Sequence, residues 1–204
     1  MTGQWLPPPL RGFEHIKRYR TGEGTCQARI MPGEYYVTTV DEELTTVLGS
    51  CISACIWDPA GGVGGMNHFM LPDSGSCAFD GTDAAARYGG FAMEHLINDV
   101  LKNGGRRERL RAKLVGGGRV LATGTDIGER NIGFARRFLA TEGIELVSED
   151  VGGATPRKVR FHPTSGRARV ARMAPLQSRR VIDAEIRYRR EVEAEPVGGD
   201  VELF

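Results

Sequence analysis

Two side chains in this sequence could together make and break an acyl bond. Cys51 lies in the run Thr45-Thr46-Val47-Leu48-Gly49-Ser50-Cys51-Ile52-Ser53-Ala54-Cys55, and His68 follows seventeen residues later in Gly64-Gly65-Met66-Asn67-His68-Phe69-Met70-Leu71-Pro72. A thiol becomes a strong nucleophile when a base takes its proton, and imidazole is a base at neutral pH. Both residues lie close to glycines at the edges of short apolar segments, so the pair can meet if those segments are neighbouring strands. Cys51 follows Gly49-Ser50 directly, at a turn-to-strand junction. There, backbone N–H groups can converge on an oxyanion and glycine lets a substrate approach closely. On residue types alone, a buried structural cysteine and a satisfied core histidine account for the pair as well.

Other chemistries fit less well. Cys51 and Cys55 with His68 supply three metal ligands at most, and two positions four apart on one strand face are too distant for a tight tetrahedron. No metal site is expected. Gly116-Gly117-Gly118-Arg119 lacks the Gly-Lys-Ser/Thr ending of a phosphate loop, and no helix follows it immediately. The arginine-rich segments are not interleaved with aromatics, which gives nucleic-acid binding little support.

The elements that must position the pair can be read from periodicity. Residues 33–40, 45–48, 52–57 and 63–71 read as strands, and 52–57 is small or apolar on both faces, as in a strand buried on both sides. Helical spacing of Ala92, Met93, Leu96, Ile97, Val100 and Leu101 predicts a helix over 83–102 that ends at Gly104-Gly105. A second helix is expected over 128–142, with Ile132, Ala135, Phe138 and Leu139 inward. Further strands are expected at 111–115, 144–148, 158–162 and 168–171, the last two flanking a hairpin-like turn at Pro163-Thr164-Ser165-Gly166. Interleaved strands and helices with short hairpin turns favour a mixed α+β layered domain over a doubly wound parallel sheet.

The chain has 204 residues, enough for one domain with extensions, and 40% hydrophobic residues, enough for a real core. The net charge of +1 hides an imbalance: residues 105–190 carry 20 Lys+Arg against 9 Asp+Glu. That region is a candidate basic face, for an acidic partner or for solvent. No run of apolar residues is long enough to cross a membrane, and the N-terminus lacks a secretory pattern. Four cysteines (Cys26, Cys51, Cys55, Cys77) in such a chain are not expected to form a disulfide framework, which points to the reducing cytosol.

Five motifs in order carry a resemblance. They are Leu48-Gly49-Ser50-Cys51, the segment Gly64 to Pro72, Ala112-Lys113-Leu114-Val115-Gly116-Gly117-Gly118, Ile127-Gly128-Glu129-Arg130-Asn131 and Glu149-Asp150-Val151-Gly152-Gly153. Together the sequence resembles the CheD family of chemoreceptor glutamine deamidases over roughly residues 32–172. Residues 1–31 resemble the extended N-terminal arm of longer members, and 173–204 form a charged tail outside the pattern. The resemblance implies packed β-sheets flanked by helices, similar to the catalytic domain of the cytotoxic necrotizing factor toxins. It implies Cys51 as nucleophile, His68 as base and Thr45, six residues before the cysteine, as the group orienting the base. Gly49, Ser50 and Asn67 would form the substrate and oxyanion environment. It further implies a glutamine on the cytoplasmic helical region of a chemoreceptor as substrate, no cofactor and no membrane insertion. An alternative is a regulatory binding module for a CheC-type phosphatase. A weaker third is transglutaminase or thiol-protease chemistry on the same dyad.

Overall fold

The computed structural model describes residues 6–72, 84–120 and 126–194. Cys77, one of the four cysteines, lies outside them. Among the described residues ten strands form two five-stranded mixed sheets. In the first, β1 (Lys17–Arg20), β2 (Cys26–Arg29), β4 (Glu43–Leu48), β9 (Arg157–His162) and β10 (Arg167–Arg172) follow in that spatial order. In the second the order is β3 (Tyr35–Thr38), β6 (Val63–Asn67), β5 (Ile52–Asp58), β7 (Arg111–Gly116) and β8 (Glu145–Val151). Only β2 with β4 and β7 with β8 pair in parallel. The α+β class with packed sheets and flanking helices is what the sequence indicated.

The sheets meet through large side chains from alternate strand positions. Trp57 of β5 and Phe161 of β9 pack edge to face with ring centroids 6.0 Å apart, a preferred geometry for aromatic pairs. The turn after β9 reaches this contact: Gly166 has φ +68°, and a Cβ there would run into the Trp57 indole. The outer face of the second sheet is covered by α1 (Ala84–Lys102) and α2 (Ile127–Thr141). Every residue of β5 is therefore buried, as its two-sided apolar pattern indicated. Met93, Leu96, Ile97 and Val100 form the inward stripe of α1, which stops at Gly104 with φ +104°. Asp126 caps α2, its side chain accepting from the Glu129 N–H.

Two segments do more than the sequence reading assigned them. The region read as an extended arm supplies β1 and β2 to the first sheet and buries Phe13 and Ile16. Phe13 packs edge to face on both Tyr35 and Tyr36, at 5.3 and 5.2 Å. The region read as a charged tail contains α3 (Pro175–Ala194), whose inner face buries Glu185, Tyr188 and Val192. Neither role is written in local periodicity, because strand addition and helix docking are long-range contacts.

Candidate active site

The chain passes from the first sheet to the second at Gly49-Ser50-Cys51, which joins β4 to β5. Cys51 is thus the last residue before a fully buried strand. The antiparallel pairing of β5 with β6 continues past Asn67 as a bridge between Ile52 and Phe69, with N–H to carbonyl distances of 2.9 and 3.0 Å. In that register Cys51 and His68 are diagonal cross-strand neighbours on one face, close enough for long side chains to touch. Their donor atoms, with a carboxylate oxygen of Glu185, all lie within 4.8 Å of one another. The His68 backbone is fixed from the other side by Gly33 N–H (2.8 Å) and by donation to the Glu34 carbonyl (2.9 Å).

Gly49, Ser50 and Cys51 point three consecutive N–H groups at one spot. Gly49 and Cys51 donate to one oxygen of Glu185 at 2.7 and 3.1 Å; Ser50 donates to the other through its N–H (2.7 Å) and its hydroxyl (2.8 Å). Successive N–H groups turned inward form a cradle for negative charge. Glycine at 49 lets this carboxylate approach, since a Cβ there would come within 2.5 Å of Glu185 and 2.6 Å of Val120. Gly49 and Ser50 line this cradle beside Cys51. With Cys51 and His68, Glu185 offers three potential metal ligands, but both its oxygens face N–H donors, which suits an anion and disfavours a cation beside it.

The His68 tautomer follows from its partners. The Thr46 hydroxyl donates to the Ile30 carbonyl at 2.8 Å, so at 2.8 Å from His68 Nδ1 it can only accept. Nδ1 therefore carries the proton, and Nε2, which has no hydrogen-bond partner among the described residues, presents its lone pair. Thr45 does not do this. Its hydroxyl donates to the Val159 carbonyl at 2.9 Å, because adjacent strand residues face opposite ways. Asn67 is likewise turned away by strand alternation: its side chain accepts from Ala54 N–H (2.8 Å) and donates to the Ala92 carbonyl (3.1 Å), tying β5 to α1. The threonine that meets His68 is Thr46, and Asn67 links the second sheet to α1.

Two further groups hold the cradle. Buried Asn131 of α2 donates to the Ser50 carbonyl (2.8 Å) and accepts from Leu71 N–H (2.9 Å). Gly117 donates to the Cys51 carbonyl and Gly118 to the Gly49 carbonyl, both at 2.7 Å. Gly116, at φ +115°, could not carry a side chain, because its Cβ would collide with the Cys51 carbonyl. The glycine run is thus a backbone clamp on the Cys51 loop. Its presence in the ordered motifs was the only sequence signal for this role, as it was for Asn131.

The titrating pair is neutral in this arrangement. Burial, then the adjacent Glu185 carboxylate, pushes the Cys51 thiol well above its ordinary value. Burial pulls His68 down to about 3, so it is an uncharged imidazole at neutral pH.

Comparisons with known proteins show the family of the chain. A family described as CheD, chemotactic sensory transduction, matches residues 70–172. A Halorhodospira halophila protein named "Probable chemoreceptor glutamine deamidase CheD" is 49% identical over 99% of this chain and 96% of its own length. The chain belongs to the CheD family. Similarly named CheD proteins of Hahella chejuensis (48% identical, 97% of this chain and 96% of that one) and Hydrogenovibrio crunogenus (50%, 89% and 96%) extend the match across the Cys51 and His68 segments. Among solved structures, a Neisseria meningitidis protein of family DUF152 aligns at 14% identity with a TM-score of 0.36, over 60% of this chain and 52% of that one. A likeness that distant has no bearing on the CheD site.

Proposed function

We propose that this chain is a chemoreceptor glutamine deamidase, a protein-glutamine glutaminase with Cys51 as nucleophile. The observation that carries the reading is the Gly49–Ser50–Cys51 cradle closed around a glutamate carboxylate beside a Cys–His pair. A carboxylate on a two-methylene stem is what hydrolysis of a glutamine amide leaves behind. The names of relatives about half identical along the whole chain supply the substrate class.

In the proposed reaction His68 Nε2 takes the Cys51 proton, and the thiolate attacks the glutamine amide carbon. The oxyanion lies in the N–H cradle, which is already formed and needs no rearrangement. The imidazolium passes its proton to the amide nitrogen, the C–N bond breaks and ammonia leaves. Water, deprotonated by His68, then opens the thioester, releasing glutamate and restoring the thiol. Thr46 keeps Nδ1 protonated and Nε2 toward sulfur throughout. No cofactor enters any step. Similar Cys–His chemistry on packed sheets is what a likeness to the cytotoxic necrotizing factor catalytic domain would imply, and we retain that likeness as a proposal.

The proposed substrate is the cytoplasmic helical region of a chemoreceptor, which places the protein in the cytoplasm. Among the described residues no helix is long and apolar enough to cross a membrane. Part of the 105–190 basic excess would face the acidic receptor helix. A CheC-type phosphatase is a second proposed partner, supported by the family resemblance alone. Mass spectrometry of receptor cytoplasmic fragments tests the reading. Wild type should convert specific glutamines to glutamate and release ammonia, and Cys51→Ala should do neither while unfolding like wild type. Conversion by Cys51→Ala would end the mechanism. No conversion by wild type, with a CheC-type phosphatase still bound, would favour the binding-module alternative.

A further inference from the structure

Glu185 has a role that the deamidase mechanism does not use. On α3, Val181, Ala184, Glu185, Tyr188 and Val192 recur at helical spacing and face the body of the protein, while Arg179, Arg180, Asp183, Arg187, Arg190 and Glu191 face solvent. The centre of such an inward stripe should be apolar. Here it is a carboxylate, with only 2% of the residue exposed and no ion pair to it among the described residues. Burying a charge without a counter-ion is tolerated only where hydrogen bonds replace its water. The four donors that do so are the three N–H groups of the cradle and the Ser50 hydroxyl. A helix thus already delivers a glutamate side chain to the position that the chemistry requires of a product.

The surroundings fit a helix seat. Tyr188, one turn after Glu185, packs edge to face on the His68 ring at 6.4 Å and meets the Tyr88 hydroxyl of α1 at 2.7 Å. Beside α3 a cleft of about 630 Å³ remains, walled by Ile30, Met31, Pro32, Val47 and His68. Two residues, Met173 and Ala174, separate the end of β10 from α3. While α3 is docked, Cys51 is fully buried and no protein substrate can touch its sulfur.

We propose that the face beneath α3 is the helix-binding surface through which a substrate glutamine reaches Cys51, and that α3 is its resident occupant, with Glu185 in the product position. The partner is a helix presenting glutamine on its docking face, and it must displace α3. This rests on Cys51 being the nucleophile of the deamidase. The neutral thiol and imidazole are then the resting condition of an occupied site, and removing the Glu185 carboxylate favours the ion pair.

The full-length protein can report on its own occupant. Glu185→Gln keeps the side-chain shape and supplies a scissile amide. It should convert to glutamate at position 185 in a Cys51-dependent reaction whose rate does not depend on protein concentration, and the Cys51→Ala/Glu185→Gln double variant should retain glutamine. Independently of catalysis, Glu185→Ala should raise the rate of Cys51 alkylation by iodoacetamide about tenfold, read on the Cys51 peptide in a chain with wild-type secondary structure. An unchanged alkylation rate overturns the proposal. So does glutamine persisting at 185 in a chain that converts receptor glutamines. Faster alkylation with no receptor glutamine converted by any variant supports the occupancy and instead removes the deamidase reading.

Discussion

Strand β5 has a carboxylate held by backbone N–H groups near each end, and the two are built differently. At its C-terminal end Asp58 accepts from Ala60 and Gly61 in its own turn, from Arg106 N–H, and from the Arg109 guanidinium through Nε and Nη2, the last at 2.6 Å. The Arg109 hydrogen bond holds this carboxyl far below the usual range. At the N-terminal end Glu185 arrives from the far end of the chain, takes three N–H groups and a hydroxyl, and meets no cation among the described residues. A carboxylate matched by an arginine and by its own turn is a structural fixture. One held only by the groups that would bind a reacting acyl oxygen is a tenant, because any other acceptor can satisfy the same donors.

Three measurements can break or sharpen that contrast. The largest effect is expected in stability. Asp58→Asn leaves Arg109, itself a third exposed, without its charge partner and should lose about 2–3 kcal/mol in urea unfolding, with Cys51 alkylation unchanged. Measured in the Cys51→Ala background, which keeps glutamine at 185, Glu185→Gln should cost about 1 kcal/mol. Equal costs would erase the distinction.

Acid should separate the two ends next. His68 is held at about 3 against an ordinary 6.5, so the unfolded chain takes that proton first. Its contribution is complete above pH 6.5 and is lost as pH falls toward 3, at up to about 1.4 kcal/mol per pH unit. Asp58 is depressed from 3.8, so its contribution is present above that value and is lost only below it. His68→Gln should therefore flatten the stability curve between pH 6.5 and 4, and Asp58→Asn only at lower pH. An unchanged curve in His68→Gln would contradict a neutral buried imidazole.

The smallest effect concerns the two threonines. Thr46→Val should lower kcat on receptor fragments about tenfold at similar KM, and shift the pH profile, because Nδ1 loses its acceptor. Thr45→Val should cost about 1 kcal/mol of stability and leave kcat near wild type. The reverse pattern would return the orienting role to Thr45.

Much of this was legible from residue types. Alternation on both faces marked β5 as doubly buried, helical spacing located α1 and α2, and the glycine beside Cys51 announced a close backbone approach. The choice between Thr45 and Thr46 was not legible. Adjacent strand residues point oppositely, and which face meets His68 depends on how β4 lies against the second sheet. Asn67 faces away from Cys51 for the same reason. The arm's strands were hidden because Lys17-Arg18-Tyr19-Arg20 has no apolar face of its own and becomes a strand only by pairing with β2.

The sequence by itself marked Cys51 and His68 as a candidate nucleophile and base and determined the glycines around them and the α+β class, since these depend on local chemistry and on periods of two and 3.6 residues. Only the tertiary structure decided that Thr46 meets His68 Nδ1, that Asn131 and the glycine run clamp the Cys51 loop, and that Glu185 fills the cradle. Each of the three joins segments far apart in the chain, and no local pattern records which donor meets which acceptor after folding.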